Sequence, residues 1–173
     1  MIIKQSKSII SEPLSKLFNS CMATGYFPEK LKTGKITPIF KKGNKEHMEN
    51  YRPVSTLPVF GKIFEKVIYS RLHNFLVSKG ILTDSQFGFR KGHSTAHAIH
   101  HSVDIIKRAH KLKQHVIGIF IDFSKAFDTL NHDILLKKLD HSGIRGTSNK
   151  LIKSYLTGRK QYTNFSGYDS DCQ

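Results

Sequence analysis

Residues Val116 to His132 read V-I-G-I-F-I-D-F-S-K-A-F-D-T-L-N-H, and the rest of the chain is organised around them. Val116 to Ile121 is a nearly continuous apolar run, rich in β-branched residues and broken only by Gly118. That is the pattern of a strand buried on both faces. Asp122 closes the run, followed by Phe123, a Ser-Lys turn, Phe127 and Asp128. A carboxylate at the end of a buried strand is costly unless its charge is compensated. Two readings stand at this point. Either the strand has ended and Asp122 is solvated or caps a turn, or Asp122 holds a divalent cation, since hard cations take oxygen ligands.

Charge is the strongest signal of composition. The 173 residues carry 28 Lys and Arg against 13 Asp and Glu, a formal net charge of +15. An excess of this size favours a polyanionic partner, nucleic acid ahead of an acidic membrane surface. The competing reading is a basic surface that serves only solubility. Cys21 and Cys172 are far apart and belong to no spaced pair, so neither a disulfide framework nor a metal knuckle is indicated, and a reducing, intracellular setting fits. The N-terminus lacks the apolar run of a signal peptide, and nothing elsewhere approaches a membrane span.

Upstream of the central stretch, Ser11-Glu12-Pro13 reads as a helix start, with Leu14, Leu17, Phe18, Cys21 and Met22 at helical spacing and Gly25 as the stop. Lys35 to Arg52 reads as an extended segment, a Lys-Lys-Gly-Asn turn and a return, with Gly43-Asn44 supplying the positive φ of a tight turn. This hairpin carries Lys41, Lys42, Lys45 and Arg52, which on residue type alone is a solvated, aggregation-resistant edge. Pro58 opens the longest periodic pattern, an apolar face from Phe60 through Phe64 and Ile68 to Leu76, ended by Gly80. Gly88 and Gly92 then frame Phe89, Arg90 and Lys91 in a loop that ends at a helix cap, Ser94 or Thr95.

A basic, aromatic loop at a helix N-terminus suits a nucleic-acid backbone, but an ordinary Gly-rich connection reads the same way. The next helix turns Ile99, Val103 and Ile106 inward. Its His97 and His101 are one turn apart, yet no third ligand at matching spacing completes a metal site. Downstream, Asn131 caps a short helix with Ile134, Leu135, Leu136 and Leu139 inward, and a further helix holds Leu151, Ile152, Tyr155 and Leu156.

Ile119 to His132 resembles the first catalytic motif of reverse transcriptases from non-LTR, LINE-type retrotransposons, the jockey-like group especially. Three more blocks occur in the family's order: the hairpin ending in Y-R-P-V-S, then F-G-K-I-F-E-K-V-I-Y-S-R-L, then Q-F-G-F-R. The similarity covers about residues 10 to 168. It implies an α+β fold, the helix-rich fingers and partial palm of a right-hand polymerase. Its divisions are a helical lead-in at 1–34, fingers at 35–115 and a partial palm at 116–173 with its sheet incomplete.

By the same resemblance, Lys41 and Arg52 lie near the triphosphate of the incoming nucleotide, where a guanidinium can grip two phosphate oxygens at once. Gln86, Phe89 and Arg90 contact the template. Phe127 packs under the sugar and excludes a 2′-hydroxyl. Asp122, with the backbone carbonyl of Phe123, ligates Mg²⁺ in a two-ion site for nucleotidyl transfer. The family's further carboxylates come from an F/Y-x-D-D motif after a P-Q-G block, and the sequence contains neither. Tyr168-Asp169-Ser170-Asp171 has the wrong order and reads as a polar tail.

The implied activity is that of an RNA-directed DNA polymerase domain of a mobile element. Its partners are an RNA template, a DNA primer, deoxynucleoside triphosphates and the remainder of the polymerase chain, with no membrane. This chain is expected to be inactive alone. The alternative is a non-catalytic RNA- or DNA-binding module derived from the fingers.

Overall fold

The computed structural model describes residues 5–123 and 126–172. In chain order the described elements are α1 (Lys7–Thr24), β1 (Thr33–Phe40), β2 (Tyr51–Thr56), α2 (Val59–Ser78), α3 (Thr95–Lys111), α4 (His132–His141), α5 (Gly146–Leu156), β3 (Lys160–Phe165) and β4 (Tyr168–Asp169). The mixture is α+β, as the sequence implies. The chain divides into two units, residues 1–72 with 131–173 and residues 73–130.

In the first unit α1 begins at Lys7, a turn before the expected start, so Pro13 lies inside the helix. The lost backbone donor costs one ladder bond, and the helix runs through it. Gly25 ends α1 in the left-handed region at φ 70, with its N–H on the Cys21 carbonyl. A Cβ at Gly25 would come within 2.9 Å of the Thr147 carbonyl oxygen. Glycine is therefore required there twice, for its φ and for the close approach of the chain to α5.

The sheet has the order β2-β1-β3-β4. β1 and β2 are antiparallel, running from Lys35 opposite Thr56 to Phe40 opposite Tyr51. β3 joins β1 in parallel, with Thr33 opposite Lys160 and Ile36 opposite Thr163. Pro38 and Pro53 face each other across β1 and β2. The Lys41 N–H donates to the Asn50 carbonyl at 2.8 Å. Counting back by the antiparallel alternation makes 38 and 53 a non-hydrogen-bonded pair, so neither proline breaks a bond between these strands. β3 and β4 form a short hairpin, Asn164 opposite Asp169 and Phe165 opposite Tyr168. Tyr168-Asp169 is thus a strand rather than part of a polar tail.

The core lies where α1, α2 and α5 meet: Phe18, Cys21, Phe27, Phe64 and Leu151 are buried, with Leu14, Met22, Ile63, Val67 and Ile68 packed around them. The Phe18 and Phe64 rings are stacked at 4.5 Å, Phe27 stacks on Phe64 at 5.1 Å, and Tyr155 meets Phe27 edge-on. Leu17 and Phe60, expected inward, are exposed. Asn131 caps α4 as expected, its Oδ1 accepting from the Asp133 and Ile134 N–H groups. Within α4, Leu135, Leu136 and Leu139 are half-buried, while Ile134 is exposed. The Asn149 amide donates to the carbonyls of Leu136 and Ile144, tying α5 to α4.

The second unit is different in kind: none of its described residues is buried. Ser94 caps α3, accepting from the His97 N–H. Ile99, Val103 and Ile106, expected on an inward side, are all exposed.

Val116 to Ile121, expected as a buried strand, forms none and is open to solvent: Ile117 is 87 % exposed and Phe120 98 %. The reason is physical. A strand exists only when its N–H and C=O groups find a neighbouring strand, and no described strand pairs with this segment. β1 to β4 form the sheet without it. No described helix is long and apolar enough to cross a membrane.

Candidate functional site

The hairpin between β1 and β2 is built by its own side chains. Gly43 takes φ 92, the positive value expected of the turn. Asn44 Oδ1 accepts from the Glu46 N–H at 3.0 Å, Asn50 Nδ2 donates to the Asn44 carbonyl at 2.8 Å, and the Tyr51 hydroxyl donates to the Lys45 carbonyl at 2.9 Å. Tyr51 also touches Phe40 on β1 and Phe165 on β3 edge-on, while Lys45 Nζ lies 5.8 Å from the centre of the Phe40 ring.

Arg52 pairs with Ile39, and Lys41 follows Ile39 by two, so pleat alternation sets Lys41 and Arg52 on the same face. Both are exposed, and neither makes a salt bridge among the described residues. Two uncompensated cations on one face are what an anionic phosphate group requires.

Gln86, Phe89, Arg90, Asp122, Phe123 and Phe127 belong to the second unit. In the Gly-rich loop the Gln86 side chain donates to the Gly88 carbonyl at 3.3 Å. Arg90 is turned back into the loop: Nη1 donates to the Thr83 carbonyl at 2.6 Å and stands 3.7 Å from Asp84 Oδ1, leaving the side chain 16 % exposed. Phe89 is the opposite. It sits in the left-handed region at φ 58 with its ring 88 % exposed. That conformation costs a non-glycine residue about 1 kcal/mol or more. The rings of Phe89 and Phe127 meet edge to face at 6.4 Å, a pairing not legible in the sequence.

Phe87 is flanked by His93 and His101 at ring distances of 6.0 and 5.8 Å. No group of three or more His, Cys, Asp or Glu among the described residues is arranged to hold a metal.

Asp122 is exposed and has no hydrogen bond or ion pair among the described residues, and Phe123 beside it is exposed as well. A free carboxylate with an adjacent carbonyl is a suitable partial ligand set for a hard cation. It is not a two-ion site, which needs further carboxylates that the described residues do not bring to it. Ser124 and Lys125, expected as a turn, lie outside the described residues. Asp169, in the tempting Tyr-Asp-Ser-Asp sequence, accepts from Asn164 Nδ2 at 2.5 Å within the β3–β4 hairpin.

The described residues thus present a basic sheet hairpin in the first unit, and a Gly-rich aromatic loop and an exposed Asp after an apolar run in the second. The comparisons with known proteins are specific. The family of reverse transcriptases (RNA-dependent DNA polymerases) matches residues 39–171. The chain belongs to that family.

Its relatives lie among mobile elements of the non-LTR type. It is 36% identical over 151 residues to the probable RNA-directed DNA polymerase from transposon BS of Drosophila melanogaster, covering 85% of this chain and 16% of the relative. It is 34% identical over 158 residues to the RNA-directed DNA polymerase from mobile element jockey of the same species, covering 91% of this chain and 17% of the relative. A third relative is the probable RNA-directed DNA polymerase from transposon X-element of Drosophila melanogaster, 36% identical over 148 residues, covering 85% of this chain and 16% of the relative. The chain therefore spans about one sixth of the length of the curated relatives it matches.

Proposed function

We propose that this chain supplies the fingers and the first part of the palm of an RNA-directed DNA polymerase of a non-LTR retrotransposon. It takes a helical lead-in from 1–34, fingers from 35–115 and the beginning of the palm from 116–173, in a right-hand arrangement completed by further polymerase sequence. Lys41 and Arg52 grip the triphosphate of the incoming deoxynucleotide, and Phe127 lies under its sugar. Gln86, Phe89 and Arg90 form the template loop, in which Arg90 holds the loop through Thr83 and Phe89 offers its ring to a base.

Asp122 and the Phe123 carbonyl are one side of a Mg²⁺ site whose other carboxylates the described residues do not provide. When bound, such ions stabilise charge on a transferring phosphoryl group. The protein works inside the cell, where RNA template, DNA primer and nucleotides are found.

The observation that carries this reading is the placement of Lys41 and Arg52 on one exposed face with no carboxylate partner among the described residues. The test is a primer-extension assay with RNA template, deoxynucleotides and Mg²⁺. The chain alone is expected to give no templated extension. Fused to a downstream segment carrying P-Q-G and F/Y-x-D-D blocks, it is expected to extend the primer, with Asp122→Asn abolishing the product. A fusion that extends equally well with Asp122→Asn overturns the assignment.

The unfilled donor set at Asp122 favours a second reading for the chain on its own, a nucleic-acid-binding module without catalysis. Salt-dependent binding to a primer–template with no extension supports it.

A further inference from the structure

α1 and α2 leave a groove of about 380 Å³ between them, wholly within the first unit. Ile10 and Leu14 of α1 and Ile63 and Val67 of α2 line it, each half-buried, so the groove is open rather than enclosed. Phe18 lines it too, its ring stacked on Phe64 at 4.5 Å.

The charged residues along this groove are Lys7 and Arg71, both cationic and both exposed. At 1.5 Å per residue, Lys7 lies about 16 Å before Phe18 on α1 and Arg71 about 10 Å past Phe64 on α2, so both stand clear of the stacked rings. Neither makes a salt bridge among the described residues. Each of the two helices carries one acid, and both acids are engaged elsewhere. Glu12 pairs with Lys16 at 2.7 Å, and Glu65 accepts from the Tyr155 hydroxyl.

We propose that this groove docks an acidic, amphipathic α-helix of another protein, its apolar side chains between α1 and α2 and a carboxylate at Lys7 and Arg71. The walls are helices whose backbone groups are paired internally, so no strand edge is on offer. An incoming segment must then satisfy its own backbone bonds, as a helix does. Apolar anchors at i, i+4 and i+7 reach about 10 Å along such a groove. The two unpaired cations supply the charge complementarity that selects the partner. A second copy of this chain would bring a net charge of +15 against the same cations. A flat anionic membrane does not enter a concave groove, and a nucleic-acid base finds no free ring there, because Phe18 is taken by Phe64. None of these residues is assigned above to nucleotide, template or metal, so the groove is separable from the polymerase reading.

The test is fluorescence anisotropy of the whole chain with a labelled helical peptide of about 15 residues, leucines at i, i+4 and i+7 and glutamates beyond them. Salt at about 0.3 M screens non-specific attraction. A peptide of the same composition with the leucine spacing broken is the control. The designed peptide is expected to bind about tenfold more tightly than the control. Lys7→Glu/Arg71→Glu, checked by circular dichroism, is expected to weaken the designed peptide about tenfold and the control little, and lysines in place of the peptide's glutamates to restore binding. Should the double variant fail to fold, Arg71→Gln alone is read against the same peptides. Equal binding of both peptides, or undiminished binding of the designed peptide to the charge variant, overturns the docking site. Binding of phosphatidylserine vesicles or single-stranded RNA that the same substitutions abolish, with the peptide unbound, overturns it as well.

Discussion

The Tyr155 hydroxyl donates a hydrogen bond to Glu65 Oε1, locking α5 to α2 at the edge of the core. Behind this bond Tyr155 packs edge-on against Phe27, and the Arg159 guanidinium lies over its ring at 4.8 Å. The phenol is pushed up to about 12, first by burial, then by its bond to Glu65 and the charge of that carboxylate. Because the folded state holds this proton more tightly than the unfolded chain, the stabilisation is complete below the ordinary value of 10 and is lost as pH rises towards 12. Tyr155→Phe leaves Glu65 without its donor and is expected to cost about 1–2 kcal/mol. Thermal melts from pH 8 to 12 check it: the wild type loses more stability than the variant across the upper half of that range.

Gly25 joins α1 to the segment that leads into the sheet, and its place is fixed by the 2.9 Å that a Cβ would leave to the Thr147 carbonyl. The obstacle is backbone at the start of α5, which cannot rotate away as a side chain could. Gly25→Ala therefore combines left-handed strain with a steric push between two core helices. A loss of about 2 kcal/mol or more is expected in urea titration, with the slope unchanged if the fold is retained.

Phe89 presents a separable case. Its ring is exposed and its backbone strained, so the folded protein gains little from it. Phe89→Gly relieves the φ cost and is expected to leave the melting temperature unchanged or slightly raised. RNA affinity is expected to fall about fivefold or more if the ring stacks on template. Equal affinity for both proteins would remove Phe89 from the template loop. Arg90→Lys is expected to act differently, loosening the loop because a lysine lacks the fork that reaches the Thr83 carbonyl and Asp84 together. Faster amide exchange over residues 83–93 reads that effect.

Local patterns carried much of the first unit. Helical spacing located Phe18, Cys21 and Phe64 in the core, Asn131 at its cap and Gly43 at its turn, because each depends on neighbours within a few residues. The pairing of β1 with β3 was not legible, since register between distant segments leaves no mark on either one. Nor was the Phe89–Phe127 contact.

The central run misled for a definite reason. Val116 to Ile121 has the composition of a doubly covered strand, and composition reports what a segment can bury, not whether the partners are at hand. Asp122, read from the same run, inherits that condition: its carboxylate is free, and the groups that would make use of it are not beside it among the described residues.

That mismatch has a measurable consequence. Ile117, Ile119, Phe120 and Ile121, broken only by Gly118, form an apolar segment, each at least three-quarters exposed, with backbone groups that no described strand satisfies. Up to Ile121 it is uncharged, proline-free and β-branched, the features of a segment that pairs with its like in other molecules. The chain's net charge of +15 opposes such association at low salt by mutual repulsion. Raising salt screens that repulsion while leaving the apolar attraction in place. Light scattering of the wild type is therefore expected to rise with salt, and the protein is expected to bind a hydrophobic dye. Ile119→Lys/Phe120→Lys should suppress both without moving the melting transition of the first unit, because neither side chain contributes to its core. If the double variant instead lowers that transition, the segment packs against other residues in solution, and the expected association is overturned.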